Sequence, residues 1–154
     1  MKRSVYFSFI LALFLCANLF AQNIQQFPKA YAVELYNGPL ADPDFDTNPE
    51  ALMFRTRIKI TCATEGVNFA GHYTLVSFGC GTACQANFVI DRKTGEIFEG
   101  FTTELGVAFD SRSSMLIKNI GAQEMSQEEQ ESCDWCKITY WEWKDNAFVE
   151  IKKE

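Results

Sequence analysis

The sequence predicts an α+β fold: a single domain, mainly antiparallel β-sheet, with one helix in its N-terminal half and disulfides to stiffen it. Three observations predict it. A capped helical pattern begins at Asn48-Pro49-Glu50. From Phe69 onward, short apolar runs of strand length alternate with tight turn signals. An export signal precedes five further cysteines, and in an exported chain bridging is their ordinary state.

Residues 1–21 read as a cleavable signal peptide. Lys2 and Arg3 form the positive start, residues 5–20 are almost wholly apolar, and Ala21 offers a small residue for cleavage before Gln22. The run is shorter than the ~20 residues a spanning helix needs, and no charge cluster follows to stop it. Leu13-Phe-Leu-Cys16 has the outline of a lipoprotein box, but bulky Leu15 stands where a small residue belongs. Residues 22–154 then form one globular domain, long enough for its own core. The expected location is exported, either periplasmic or extracellular, with no integral membrane segment left after cleavage. Cleavage takes the net charge from −6 to −8 by removing Lys2 and Arg3. So acidic a chain disfavours nucleic acid and anionic membrane as partners.

Residues 31–36 alternate weakly and suggest a short strand, broken by Asn37-Gly38-Pro39. Asp42, Asp44 and Asp46 lie in a loop. Asn48 then caps a helix, Pro49 suits its first position, and Glu50 meets the positive end of the dipole. Ala51, Phe54, Ile58 and Cys62 follow at spacings of three and four, one apolar helical face, and Gly66 is the natural stop. Arg55, Arg57 and Lys59 also alternate with Thr56, Ile58 and Ile60 in a strand-like way, and the capping signals decide for helix. Residues 69–78 are apolar on both faces and suggest a central strand. Residues 86–91 and 96–101 flank Asp91-Arg-Lys-Thr-Gly95, where a glycine at positive φ closes a hairpin. Residues 105–109 and 115–119 are two more strands, residues 121–131 a loop or short helix, and residues 137–143 and 147–152 a terminal hairpin. Such short connections imply antiparallel order. The same rhythm also admits a fragment of propeller-like sheet.

Five cysteines follow the signal: Cys62, Cys80, Cys84, Cys133 and Cys136. Five is odd, so one thiol is left over within a chain. Cys80 and Cys84 lie in a glycine-bracketed loop that suits a local bridge. With His72, the only histidine, they are also the weak candidates for nucleophilic catalysis, since a thiolate needs a base. A straight strand would hold His72 and Cys80 roughly 25 Å apart, which argues against that pairing. Cys133-Asp-Trp-Cys136 has redox spacing, but Glu128, Glu129, Glu131 and Asp134 crowd it, and negative charge raises a thiol pKa. A structural bridge is expected there as well. Forty-eight residues separate Cys84 from Cys133, longer than ribbon-type zinc spacing, so no zinc is expected. Asp42, Asp44 and Asp46 have the every-second-residue rhythm of a calcium loop, but Thr47 and Met53 occupy the positions of its glycine and its bidentate glutamate. They are the weak metal candidates, and no cofactor is expected.

The candidates for a binding surface are His72, Tyr73, Asp110, Arg112, Trp141 and Trp143. Trp141 and Trp143 share one face of a strand, opposite Tyr140. Exposed, they would suit a sugar or protein; buried, they fill a core. Asp110-Ser111-Arg112 reads most simply as a turn with a local ion pair. The expected function is a non-catalytic binding or inhibitor-type module for an unknown protein, small molecule or saccharide. The alternative is a thiol-based enzyme, either disulfide redox or a Cys–His hydrolase, using Cys80/Cys84 or Cys133/Cys136.

Four segments carry a resemblance: Asn68-Phe-Ala-Gly-His-Tyr73, Gly79-Cys-Gly-Thr-Ala-Cys-Gln85, Asp91-Arg-Lys-Thr-Gly95 and Phe109-Asp-Ser-Arg112. Together they resemble a group of small exported bacterial proteins with no assigned activity. The likeness spans about residues 48–119 and implies an exported single domain, with no catalytic residue to carry over.

Overall fold

The computed structural model describes residues 27–152, so the signal segment and Cys16 lie outside the described residues. A 3-10 turn, Pro49–Phe54, runs into helix α1, Arg55–Glu65. The Asn48 side chain accepts from the Glu50 and Ala51 N–H groups, and Gly66 ends the helix at φ +59°. The expected apolar face is the one buried: Ala51, Ile58 and Cys62 are all inside.

Seven strands follow: β1 Tyr73–Gly81, β2 Cys84–Asp91, β3 Ile97–Thr103, β4 Val107–Phe109, β5 Met115–Lys118, β6 Thr139–Lys144 and β7 Ala147–Glu150. Between β5 and β6 lie a 3-10 turn, Ile120–Glu124, and helix α2, Gln127–Glu131, which begins in a Ser126/Glu129 capping box. Every strand pair is antiparallel. The strands divide into two sheets, ordered β1-β2-β3 and β4-β5-β6-β7. The domain is therefore α+β and mainly antiparallel, as expected, with its strands in two meanders.

The alternation of side chains explains the layering. Val76, Phe78, Phe88, Ile90 and Ile97 face α1 and pack with Phe45, Ala51, Ile58 and Cys62. Tyr73, Leu75 and Val89 point the other way and meet Phe69, Leu116 and Trp143, with Phe98, Phe101, Phe109, Trp141 and Phe148 around them. The three-stranded sheet is thus covered on both faces. Burying a ring or aliphatic side chain of this size stabilises the fold by about 1.5–3 kcal/mol, so these two clusters dominate its stability.

Two expectations need correction. The segment with apolar residues on both faces is β1, which lies at the edge of its sheet; the middle strand is β2. Two-sided burial reports the layers above and below a strand and not its lateral neighbours. Residues 31–36 form no strand. A 3-10 turn, Lys29–Tyr31, and one bridge, Ala32 to Ser113, replace it. This segment runs along the turn before β5 through Val33 N–H to Arg112 O and Ser114 N–H to Tyr31 O, too few bonds for a ladder.

Candidate functional site

The segment from Asn68 to Tyr73 builds the start of β1. Phe69 is fully buried between the sheets. Ala70 and Gly71 take positive φ, 44° and 82°, and turn the chain so that Tyr73 N–H returns to Phe69 O. A Cβ on Gly71 would stand 2.6 Å from Glu34 O, which accounts for the glycine. The His72 carbonyl accepts from Arg92 N–H, closing the far end of the β1–β2 hairpin. The His72 ring lies against Tyr73, and its Nε2 is 3.9 Å from an Asp91 carboxylate oxygen. Burial lowers the His72 pKa below 6.5, with Asp91 pulling in the opposite direction.

Cys80 and Cys84 are bridged at the other end of the same hairpin, across the Thr82-Ala83 turn. Strand β1 therefore separates His72 from this bridge by roughly 25 Å of extended chain. Cys133 and Cys136 form the second bridge, around a 3-10 turn that buries Cys136. Cys62 is the free cysteine among the described residues, and burial on the inner face of α1 raises its pKa. No three metal-ligating side chains converge among the described residues. Asp44 accepts instead from Asp46 N–H, and its backbone N–H bonds Gly95 O.

Asp110 accepts from the Arg112 backbone N–H at 2.7 Å, a local turn bond in place of the expected side-chain ion pair. Both residues are exposed, on the loop before β5. Trp143 is 6% exposed and belongs to the core between the sheets. Trp141 lies on the same face of β6 but nearer the rim, and it borders a cleft.

That cleft, about 320 Å³, lies where β3 meets the second sheet. Glu99, Gly100 and Phe101 line it from β3, Lys118 from β5, Trp141 from β6, and Asn146, Ala147 and Phe148 from the last turn and β7. The Lys118 ammonium is 4.6 Å from the Phe101 ring centre and 5.0 Å from that of Trp141. Partial burial lowers the Lys118 pKa, and Glu104 and Glu150 oppose the shift. Thr139 fixes the Trp141 indole by accepting its N–H at 2.8 Å. Phe101 and Phe148 meet edge to face. The Tyr73 hydroxyl donates to Asn146 Oδ1 at 2.9 Å, which holds the cleft lip from inside the core. Asn146 has φ +59° and Asp145 φ +51°, as a two-residue hairpin turn requires.

Of the sequence-derived binding candidates, the structure brings Trp141 to the cleft and Tyr73 behind its lip. His72, Asp110 and Arg112 do not line it. Phe101, Lys118 and Asn146 were not anticipated from the sequence. Lys118 and Trp141 lie on one face of neighbouring strands, a diagonal pair fixed by the β5–β6 register. Among the described residues no helix is long and apolar enough to cross a membrane. No family model, no curated protein and no solved structure matches the chain.

Proposed function

We propose that this chain is an exported, disulfide-braced binding module that takes a neutral saccharide in the cleft of Phe101, Lys118, Trp141 and Asn146. The observation that carries this reading is the stacked cation. A partly desolvated ammonium lies against two aromatic rings, beside the Asn146 amide and the Glu99 carboxylate. Ring faces and edges suit the C–H faces of a sugar, while ammonium, amide and carboxylate suit its hydroxyls. The volume is at the small end of ligand sites and fits one or two rings. Glu99, Glu104 and Glu150 outnumber Lys118 nearby, so an anionic sugar is disfavoured. The Cys–His hydrolase form of the alternative is disfavoured at Cys80 and Cys84, since His72 stands at the opposite end of β1 from them.

The test is a titration with neutral oligosaccharides of glucose, xylose and N-acetylglucosamine, with an oligogalacturonide as the acidic counterpart. Amide NMR shifts should move at Phe101, Lys118 and Trp141 with a neutral ligand, and Trp141→Ala should abolish the response. No shift with any neutral sugar, tighter binding of the acidic one, or binding unchanged in Trp141→Ala would each overturn the reading.

A further inference from the structure

The cleft at Trp141 does not end at β3. A second depression, about 290 Å³, lies on the other side of that strand, and Glu99, Gly100 and Phe101 line both. These three residues span roughly 7 Å of strand at ~3.3 Å each, so the two depressions adjoin across the β3 edge. Strand β3 is the last of its sheet, and among the described residues no further strand pairs with it there.

A break in register makes the crossing. Phe88 pairs with Glu99 and Ala86 with Thr102, so Asn87 stands opposite two residues, Gly100 and Phe101. Glu99 and Thr102 therefore share the α1 face with Phe88 and Ala86, while Phe101 turns to the other face and packs between the sheets. Gly100 puts no side chain between them, and a Cβ there would run into the Asn87 carbonyl oxygen. Ile97 sends its N–H off the sheet to Thr47 Oγ1, so by alternation the Glu99 N–H and C=O also point outward, onto the crossing. Glu50 and Phe54 line the far side of the second depression, with Thr102 beside Glu99. Glu50, Glu99 and Thr102 are exposed, and no lining residue of this depression is cationic. Asn87 lines it as well. Its Nδ2 donates to Phe101 O at 3.0 Å, while its buried Oδ1 has no partner among the described residues, an orphan that a small shift would offer to a bound hydroxyl.

We infer that the two depressions form one groove, and that its ligand is a neutral glycan chain of about three or four rings lying across β3, in place of a mono- or disaccharide. The inference rests on the saccharide reading of the Trp141 cleft and extends it. One or two rings occupy that cleft. The next passes over Gly100, where only backbone stands, and its hydroxyls meet the outward Glu99 N–H and C=O. The ring beyond lies against Phe54, with its hydroxyls on Glu50 and Thr102. Glu50 and Glu99 carry the exclusion of acidic sugars along the whole path, since no cation offsets them in the second depression. Taken together, the depressions reach the middle of the usual range of ligand sites, where the cleft alone lies at its small end.

The probes are the neutral oligosaccharides of glucose, xylose and N-acetylglucosamine, each as dimer, tetramer and hexamer, read by calorimetry and amide NMR on the chain beginning at Gln22. In the series that moves Trp141, the tetramer should bind about tenfold tighter than the dimer, and the hexamer within about twofold of the tetramer. The tetramer and hexamer should shift the Glu50, Phe54 and Thr102 amides, and the dimer should not. Glu50→Gln with Thr102→Val, at two exposed positions, should remove the gain from length; if that variant fails to fold, the amide map of the parent decides. A response at Trp141 with equal affinity for dimer and tetramer, shifts that never reach Thr102, or a length gain that survives the double variant would each overturn the inference and leave the binding reading standing. No response at Trp141 with any neutral chain would overturn the binding reading, and the inference with it.

Discussion

Replacing Arg92 by methionine should destabilise the domain by about 3 kcal/mol, and the structure supplies the reasoning. Arg92 is 4% exposed, yet among the described residues no carboxylate pairs with it. Its Nη1 donates to Cys62 O at 2.7 Å and Thr74 Oγ1 at 3.1 Å, and its Nε donates to Ala41 O at 3.1 Å. Cys62 O is one of the last four carbonyls of α1, where the helix dipole is negative and intrahelical donors run out. The guanidinium therefore caps α1 while tying it to β1 and to the loop before the helix. Three bonds from a charged donor amount to roughly 5–9 kcal/mol at ~1.5–3 kcal/mol each. Relief from burying the charge returns several kcal/mol, leaving about 3 kcal/mol net. For a domain of this length that is about 10 °C in Tm. Arg92→Lys should recover only part of the loss, because one ammonium cannot span three separated acceptors. Urea unfolding followed by tryptophan fluorescence measures both variants. Thr74→Val, alone and with Arg92→Met, completes a cycle with an expected coupling of about 1 kcal/mol. Arg92→Met within about 0.5 kcal/mol of the parent, or additive changes in the cycle, would refute the reasoning.

Two other outcomes follow from side chains near the hairpin ends and the helix. His72 should titrate by NMR below 6.5, and Asp91→Asn should lower it further, since the carboxylate raises the value that burial lowers. A histidine whose folded pKa is depressed leaves the unfolded chain with the greater proton affinity. Its effect on stability is thus absent above the unfolded value of 6.5 and grows as pH falls from there through the folded pKa. A midpoint above 6.5 would contradict this. Alkylation of the chain beginning at Gln22 should label one thiol, Cys62, on unfolding without reductant, and five after reduction. Rapid labelling of the native protein would return the thiol-enzyme reading to consideration, because a buried thiol of raised pKa is a poor nucleophile.

The helix was legible because its signals are local. Asn48, Pro49 and the spacing of Ala51, Ile58 and Cys62 act within a few residues of one another. Gly95, at φ +90°, is in the same class: its turn is closed by Gly95 N–H to Asp91 O. The division into two sheets was not legible, because alternation reports which faces are covered and is silent about lateral partners. Nor was Arg92, which sits in a polar turn sequence while its side chain crosses the domain to Ala41 and Cys62. Asn119 is similar. It takes φ +56°, accepts from Thr103 Oγ1 at 2.6 Å, and donates to Trp135 O and Lys137 O. One side chain thereby joins the end of β3 to the Cys133–Cys136 turn. The cleft was half legible: an aromatic strip marked Trp141, while Phe101, Lys118 and Asn146 come from three other segments that only the tertiary fold assembles.

The chain's only histidine and its first bridge share one hairpin, and the fold gives the two ends different work. At the His72 end the outward backbone groups of Tyr73 and Leu75 are spent, on the Phe69 turn and the Asn68 side chain. That end is welded to the core through Phe69 and Tyr73, and Tyr73 carries the same rigidity to the cleft lip at Asn146. Past Leu75, among the described residues, no such cover continues, although Asn68 shows how little is needed to seal an edge. A bridge at Cys80–Cys84 then ties together a hairpin tip that would otherwise fray. A histidine and two cysteines that look like catalytic partners in the sequence sit, on this geometry, at the fixed end and the bridged end of one edge strand.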